Sequence, residues 1–163
     1  MRHIKGDLLK RPAGTNIIIH QANINGCMGS GIAAQIAKQI PEAAAVDTRT
    51  YNRLGVKLGS FSFVHLDDYT VVNLYGQSIK ELSSAGIPTD YNAVVKSFQE
   101  IAQWLLDGEK ALIAMGLAPV IGVPKFMGCG LGGGDWDIYS AIIEATIGQH
   151  FPVVCVEWRI LIN

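Results

Sequence analysis

The chain has 163 residues, 49% of them hydrophobic and 17% charged, with 13 Lys+Arg against 14 Asp+Glu and a formal charge of −1. That length suits a single domain spanning 1–163, large enough to bury more than half of its surface. The composition excludes a disordered segment and a strongly basic nucleic-acid clamp, so no stable nucleic-acid binding is expected. No apolar run reaches the roughly 18 residues of a membrane span. The start, Met1-Arg2-His3-Ile4-Lys5-Gly6-Asp7, lacks a signal peptide's apolar core. Cys27, Cys129 and Cys155 are odd in number, widely spaced and without a CxxC pair. They fit a reducing, cytoplasmic setting and argue against a disulfide framework or a structural zinc site. An anionic ligand would then be met by backbone amides and helix ends.

Taken in order, strands are expected at Ile4 to Leu9, Asn16 to His20, Phe61 to Leu66, Thr70 to Leu74, Ala111 to Met115 and Val153 to Trp158. The β-branched stretches Ile17-Ile18-Ile19 and Val153-Val154 are typical of strands covered on both faces. Helical patterns run from Gly31 to Ile40, ending at Pro41, and from Glu42 to Leu54, ending at Gly55. Two more run from Tyr91 to Leu106, stopped by Gly108, and from Trp136 to Ile147, stopped by Gly148. Alternation of this kind predicts an α/β fold with a mostly parallel or mixed sheet between helices. Ligands of such sheets sit outside the carboxyl ends of the strands.

Two glycine-rich loops each follow a strand and open a helix. The first is Asn23-Ile24-Asn25-Gly26-Cys27-Met28-Gly29-Ser30-Gly31-Ile32-Ala33; the second is Met127-Gly128-Cys129-Gly130-Leu131-Gly132-Gly133-Gly134-Asp135-Trp136. Glycine lets the backbone approach a ligand, and a helix start offers unpaired amides and a positive dipole end to phosphate. Asp135 suits a helix N-cap. Neither the Rossmann GxGxxG spacing nor the Gly-Lys-Ser/Thr ending of a P-loop is present, so a diphosphate would be held in some other way.

These motifs resemble those of macrodomains, in particular the branch of ADP-ribose 1''-phosphate phosphatases and ADP-ribosyl-glutamate hydrolases. Lys5-Gly6-Asp7-Leu8, His20-Gln21-Ala22-Asn23, Gly29 to Ala33, Thr89-Asp90-Tyr91 and Gly128 to Trp136 carry the resemblance, in family order along nearly the whole chain. It implies a three-layer α/β/α fold with a mixed, mostly parallel sheet of about six strands. It also implies ADP-ribose or ADP-ribose 1''-phosphate as ligand, with no cofactor and no metal, and a chain acting as a monomer.

In the pose the resemblance implies, Asp7 accepts the adenine amino group with Leu8 beside it. Asn23 lies near the distal ribose. Ser30, Gly31, Ile32 and Ala33, together with Gly128, Cys129, Gly130, Leu131 and Gly132, wrap the diphosphate and distal ribose. Tyr75 and Tyr91 could border the ribose. Two carboxylates also have plain structural readings: Asp7 closes a strand, and Asp90 caps a helix.

Three activities stay open. In the phosphatase branch the resemblance assigns catalysis to His20 and Asp90, facing one terminal phosphate; proton transfer to a leaving oxygen suits a histidine. The ADP-ribosyl hydrolases use a lysine after the fourth strand and an aspartate in the second loop. Here Lys80 lies beyond the matching stretch Leu74-Tyr75-Gly76-Gln77, and the loop position holds Gly132. The third reading is an ADP-ribose reader without turnover. Cys27 and Cys129 lack a neighbouring His or Lys that would make a nucleophile. His3, His65 and His150 lack metal-ligand spacing. Trp104 falls in a core stripe with Ile101, Leu105 and Leu106, and Trp136 and Trp158 are expected to pack.

Overall fold

The computed structural model describes residues 1–114 and 116–158. Its strands are β1 (Arg2–Gly6), β2 (Ile17–Asn23), β3 (Phe61–His65), β4 (Thr70–Gln77), β5 (Ile121–Pro124) and β6 (Val153–Trp158). Its α-helices are α1 (Gly31–Gln39), α2 (Pro41–Leu54), α3 (Tyr91–Ala114) and α4 (Trp136–Ala145). The six strands form one sheet in the order β1-β6-β5-β2-β4-β3. The first five in that order run parallel; β3 alone is antiparallel, against β4. Asp67 and Asp68 turn that hairpin, closed by Leu66 N donating to Tyr69 O at 2.8 Å.

Side chains alternate across a strand, and β2 shows what this does. Ile17 and Ile19 face a core shared with Phe98, Ile101 and Leu105 of α3 and with Tyr139 and Ile143 of α4. Ile18 faces the opposite core, with Ile36 of α1 and Ala43 of α2. Ile18, Ile19, Val71 and Val72 are completely buried, so helices cover both faces as the β-branched runs imply. The layers are therefore α/β/α.

One expected strand is wrong. Ala111 to Ala114 form the last turn of α3, and Met115 lies outside the described residues. Glu109-Lys110-Ala111-Leu112 are good helix formers, and a single interior Gly108 costs a helix only about 1 kcal/mol, too little to stop it. The missing strand is β5, whose four residues Ile121–Pro124 are all buried. At the other end of the chain, β1 stops at Gly6, and Leu8–Lys10 form a short 3-10 turn capped by Asp7.

Candidate functional site

Because five strands share one direction, their carboxyl ends open onto a common rim. Asp7 follows β1, the first glycine loop follows β2, Gln77 ends β4 and the second glycine loop follows β5. Strands β2 and β5 are sheet neighbours, which sets the two loops side by side. A register shift between Ala22 and Asn23 bends the last residue of β2 at this rim.

The second loop is tied down through its carbonyls. Gly128 O accepts from Gly134 N at 2.8 Å, Gly130 O from Gly133 N at 3.0 Å, and Gly132 O from Thr89 N at 2.9 Å. The Thr89 hydroxyl donates to Gly128 O at 2.9 Å. Among the described residues, the amides of Gly130, Leu131 and Gly132 have no backbone acceptor. Such consecutive main-chain N–H groups form an anion-binding concavity. Gly128 and Gly133 sit at φ +73° and +70°, where a side chain is strained.

The polar residues beneath this loop form one network. Tyr139 OH donates to Gln21 Oε1 at 2.8 Å. Gln21 Nε2 donates to Gln77 Oε1 at 2.7 Å and to Thr89 Oγ1 at 2.8 Å. Sequence reasoning gave Gln21, Gln77, Thr89 and Tyr139 no role in the site. A polar residue at the end of an otherwise apolar strand, as at Gln21 and Gln77, was the available signal.

The first loop holds itself together through Asn23. Its Nδ2 donates to Cys27 O at 2.7 Å, and its Oδ1 accepts from Asn25 N at 2.9 Å. Asn25 Oδ1 in turn accepts from Ile79 N at 2.8 Å, joining the loop to the chain beyond β4. Gly26, at φ +70°, lies under the Tyr51 ring, 2.8 Å from where a Cβ would sit. Ser30 is the N-cap of α1 but makes no side-chain capping bond. The first intrahelical amide is Ala34 N, donating to Ser30 O at 3.2 Å. The amides of Gly31, Ile32 and Ala33 are thus the unfilled helix-start donors that suit phosphate. Helix α4 differs, since Asp135 Oδ1 accepts from Asp137 N at 2.8 Å and from Ile138 N at 3.4 Å.

Of the expected ligand contacts, Ser30 to Ala33 and Gly128 to Gly132 stand at the rim on adjacent strand ends, with Cys129 half-buried and Leu131 exposed. Asp7 stands at the far side of the rim, where its Oδ1 accepts from Leu9 N at 2.9 Å. Leu8, the residue expected beside it, is completely buried in the α1–α2 core.

The pairing of His20 with Asp90 is not found. His20 projects to the α1–α2 face and is completely buried. Its Nε2 lies 2.6 Å from Asn73 Oδ1, while Asn73 Nδ2 donates to Ala43 O and to Ser62 Oγ, each at 3.1 Å. Asn73 Oδ1 therefore accepts, and the imidazole proton sits on Nε2. Burial pushes the His20 pKa down to about 4, against the opposing hydrogen bond to the Asn73 side chain. Asp90 starts α3, which packs on the other face, and its Oδ1 accepts from Ala93 N at 3.0 Å. The sheet thus lies between the His20 side chain and helix α3, which Asp90 starts.

The Cys129 thiol is chemically quiet. Burial pushes the Cys129 thiol up to about 11, with a further push from Asp135, so it is not a thiolate near neutral pH. Among the described residues no group of three or more His, Cys, Asp or Glu side chains could hold a metal ion. An open groove of about 410 Å³ lies at the amino ends of β2 and β4, lined by Asn16, His65, Tyr69 and Trp104. It is at the opposite end of the sheet from the glycine loops. Among the described residues no helix is long and apolar enough to cross a membrane.

No family model matches the chain. It is 30% identical over 164 aligned residues to an uncharacterised 17.5 kDa protein from the tk-vs intergenic region of Enterobacteria phage T4, covering 99% of both chains. It is 26% identical to an ADP-ribose 1''-phosphate phosphatase of Lodderomyces elongisporus, covering 96% of this chain and 99% of that one. Among solved structures, a Bacteroides thetaiotaomicron protein matches with a TM-score of 0.77 at 26% identity, over 96% of this chain and 98% of that one. A macrodomain protein from Streptomyces coelicolor matches with a TM-score of 0.74 at 20% identity, over 96% of this chain and 97% of that one. Sheet order, paired glycine loops and full-length relatives agree: the chain belongs to the macrodomain family.

Proposed function

We infer that the protein binds ADP-ribose across the carboxyl rim and releases phosphate from ADP-ribose 1''-phosphate. The observation that carries the binding is the adjacency of two unfilled sets of main-chain amides, at the start of α1 and at Gly130–Gly132, on neighbouring strands β2 and β5. A protein of net charge −1 can hold a diphosphate this way, because the amide dipoles are fixed and need no surplus of Lys or Arg. In this reading Asp7, at the end of β1, lies where an adenine amino group can donate to it.

The phosphatase step is supported by the name of the Lodderomyces relative and by Asp90, a half-buried carboxylate next to the Thr89 that holds the second loop. Asp90 would orient the attacking water or take its proton. The loop-aspartate route of the hydrolases finds no room: a Cβ at position 132 would lie 2.5 Å from both Gly128 O and Thr89 Oγ1. Binding without turnover is the second reading, and the burial of His20 favours it.

Calorimetry with ADP-ribose tests the binding, and phosphate release from ADP-ribose 1''-phosphate tests the chemistry. ADP-ribosylated protein and ADP-ribosylated DNA serve as competing substrates. Binding plus phosphate release is expected. ADP-ribose freed from protein or DNA would replace the phosphatase reading, binding alone would leave a reader, and no heat with ADP-ribose would overturn the assignment.

A further inference from the structure

The second glycine loop is clamped at both ends by one residue. The Thr89 backbone N donates to Gly132 O at 2.9 Å, and its hydroxyl donates to Gly128 O at 2.9 Å. Thr89 is completely buried. A hydroxyl has one proton to give, and Gln21 Nε2 approaches Thr89 Oγ1 at 2.8 Å as a donor, which leaves that proton for Gly128 O. The order is continuous: Tyr139 OH to Gln21 Oε1, Gln21 Nε2 to Thr89 Oγ1, Thr89 Oγ1 to Gly128 O. Tyr139 is itself completely buried in the core beneath α3 and α4, so the relay is anchored on a rigid side chain.

Because the peptide unit is planar, holding Gly128 O and Gly132 O fixes the 128–129 and 132–133 planes, the two ends of the segment that carries the amides of residues 130–132. With Gly128 O and Gly132 O held by Thr89, and Gly130 O held by Gly133 N, the intervening amides are the groups left to meet a ligand. We propose that Thr89 is a positioning residue that sets the main-chain amides of residues 130–132 for a diphosphate, through a relay starting at Tyr139. The proposal rests on the ADP-ribose reading above. It predicts that the relay matters for the diphosphate and not for the nucleoside.

The test compares Thr89→Val, which removes only the hydroxyl at nearly constant volume, with Thr89→Ser, which restores it. ADP-ribose affinity is expected to fall about tenfold in Thr89→Val, the scale of one buried hydrogen bond, and to return within about twofold in Thr89→Ser. Adenosine affinity should be unchanged in both. Tyr139→Phe should weaken ADP-ribose in the same direction, which keeps the question decidable if Thr89→Val fails to fold. Equal loss of ADP-ribose and adenosine, or no loss of either, would overturn the positioning role. Wild-type protein that ignores ADP-ribose would sink the functional reading instead. In that case hydrogen exchange of the Gly133 and Gly134 amides, measured without ligand, decides the clamp: faster exchange in Thr89→Val supports it, and unchanged exchange overturns it.

Discussion

The His20 imidazole and the Asn73 side-chain amide meet at 2.6 Å in the closed interior beneath α2, with His20 Nδ1 buried and unpaired. The fold therefore holds a neutral ring, whereas the unfolded chain takes up a proton at the ordinary value of 6.5. Between these two states the unfolded chain binds more protons, so stability rises with pH through the window. His20's contribution is complete above about pH 6.5 and is lost as pH falls toward about 4, by roughly 3 kcal/mol in all. Asp47, whose carboxyl burial pushes up, contributes with the opposite sign. Urea melts at pH 7.5 and pH 5 (about 1 unit above and about 1.5 units below the histidine value) should show the loss in the wild type and a shallower pH dependence in His20→Leu.

Asp90 separates stability from turnover. Asp90→Asn keeps a residue able to cap α3, so melting should move by no more than about 0.5 kcal/mol, while phosphate release from ADP-ribose 1''-phosphate drops by about a hundredfold. Full turnover in Asp90→Asn would remove this carboxylate from the chemistry.

Gly132 faces a crowd of oxygen atoms, with Gln77 Oε1 2.8 Å from a Cβ there in addition to the contacts at Gly128 O and Thr89 Oγ1. Gly132→Ala is expected to displace the loop and cost at least about tenfold in ADP-ribose affinity. Gly132→Asp should not create an ADP-ribosyl hydrolase. Calorimetry and release of ADP-ribose from modified protein check the two statements.

Asp135 fills the start of α4 with its own carboxylate, and its removal leaves two amides short of an acceptor. Asp135→Ala should destabilise the protein by about 1 kcal/mol in a denaturant melt. Asp135→Asn should recover most of that loss.

Much of the architecture could be read from residue pattern. Ile17-Ile18-Ile19 announced a strand covered on both faces, and Pro41, Gly55 and Asp135 marked helix ends that the structure keeps. The error at Ala111–Ala114 arose because a short apolar run has no period of its own, and Gly108 carries too small a penalty to end a helix already packed on the sheet. At the rim, glycine spacing located both loops. The direction of a β2 side chain was harder: His20 and Gln21 are neighbours in sequence, yet alternation sends one under α2 and the other toward α4. The partners Thr89 and Tyr139 lie 68 and 118 residues from Gln21, a separation that local patterns do not bridge.

The edge strand β1 has β6 as its sheet neighbour, joining Arg2 to Val154 and Gly6 to Trp158. During synthesis, the segment bearing Asp7 emerges well before β6 and must wait unpaired until that strand has left the ribosome. Zipping of these two strands is thus a late, non-local event, in which loop-closure entropy opposes an early finish. The rim becomes complete only at that step, so a nascent chain halted before Val153 would carry both glycine loops and still lack the docked strand that presents Asp7.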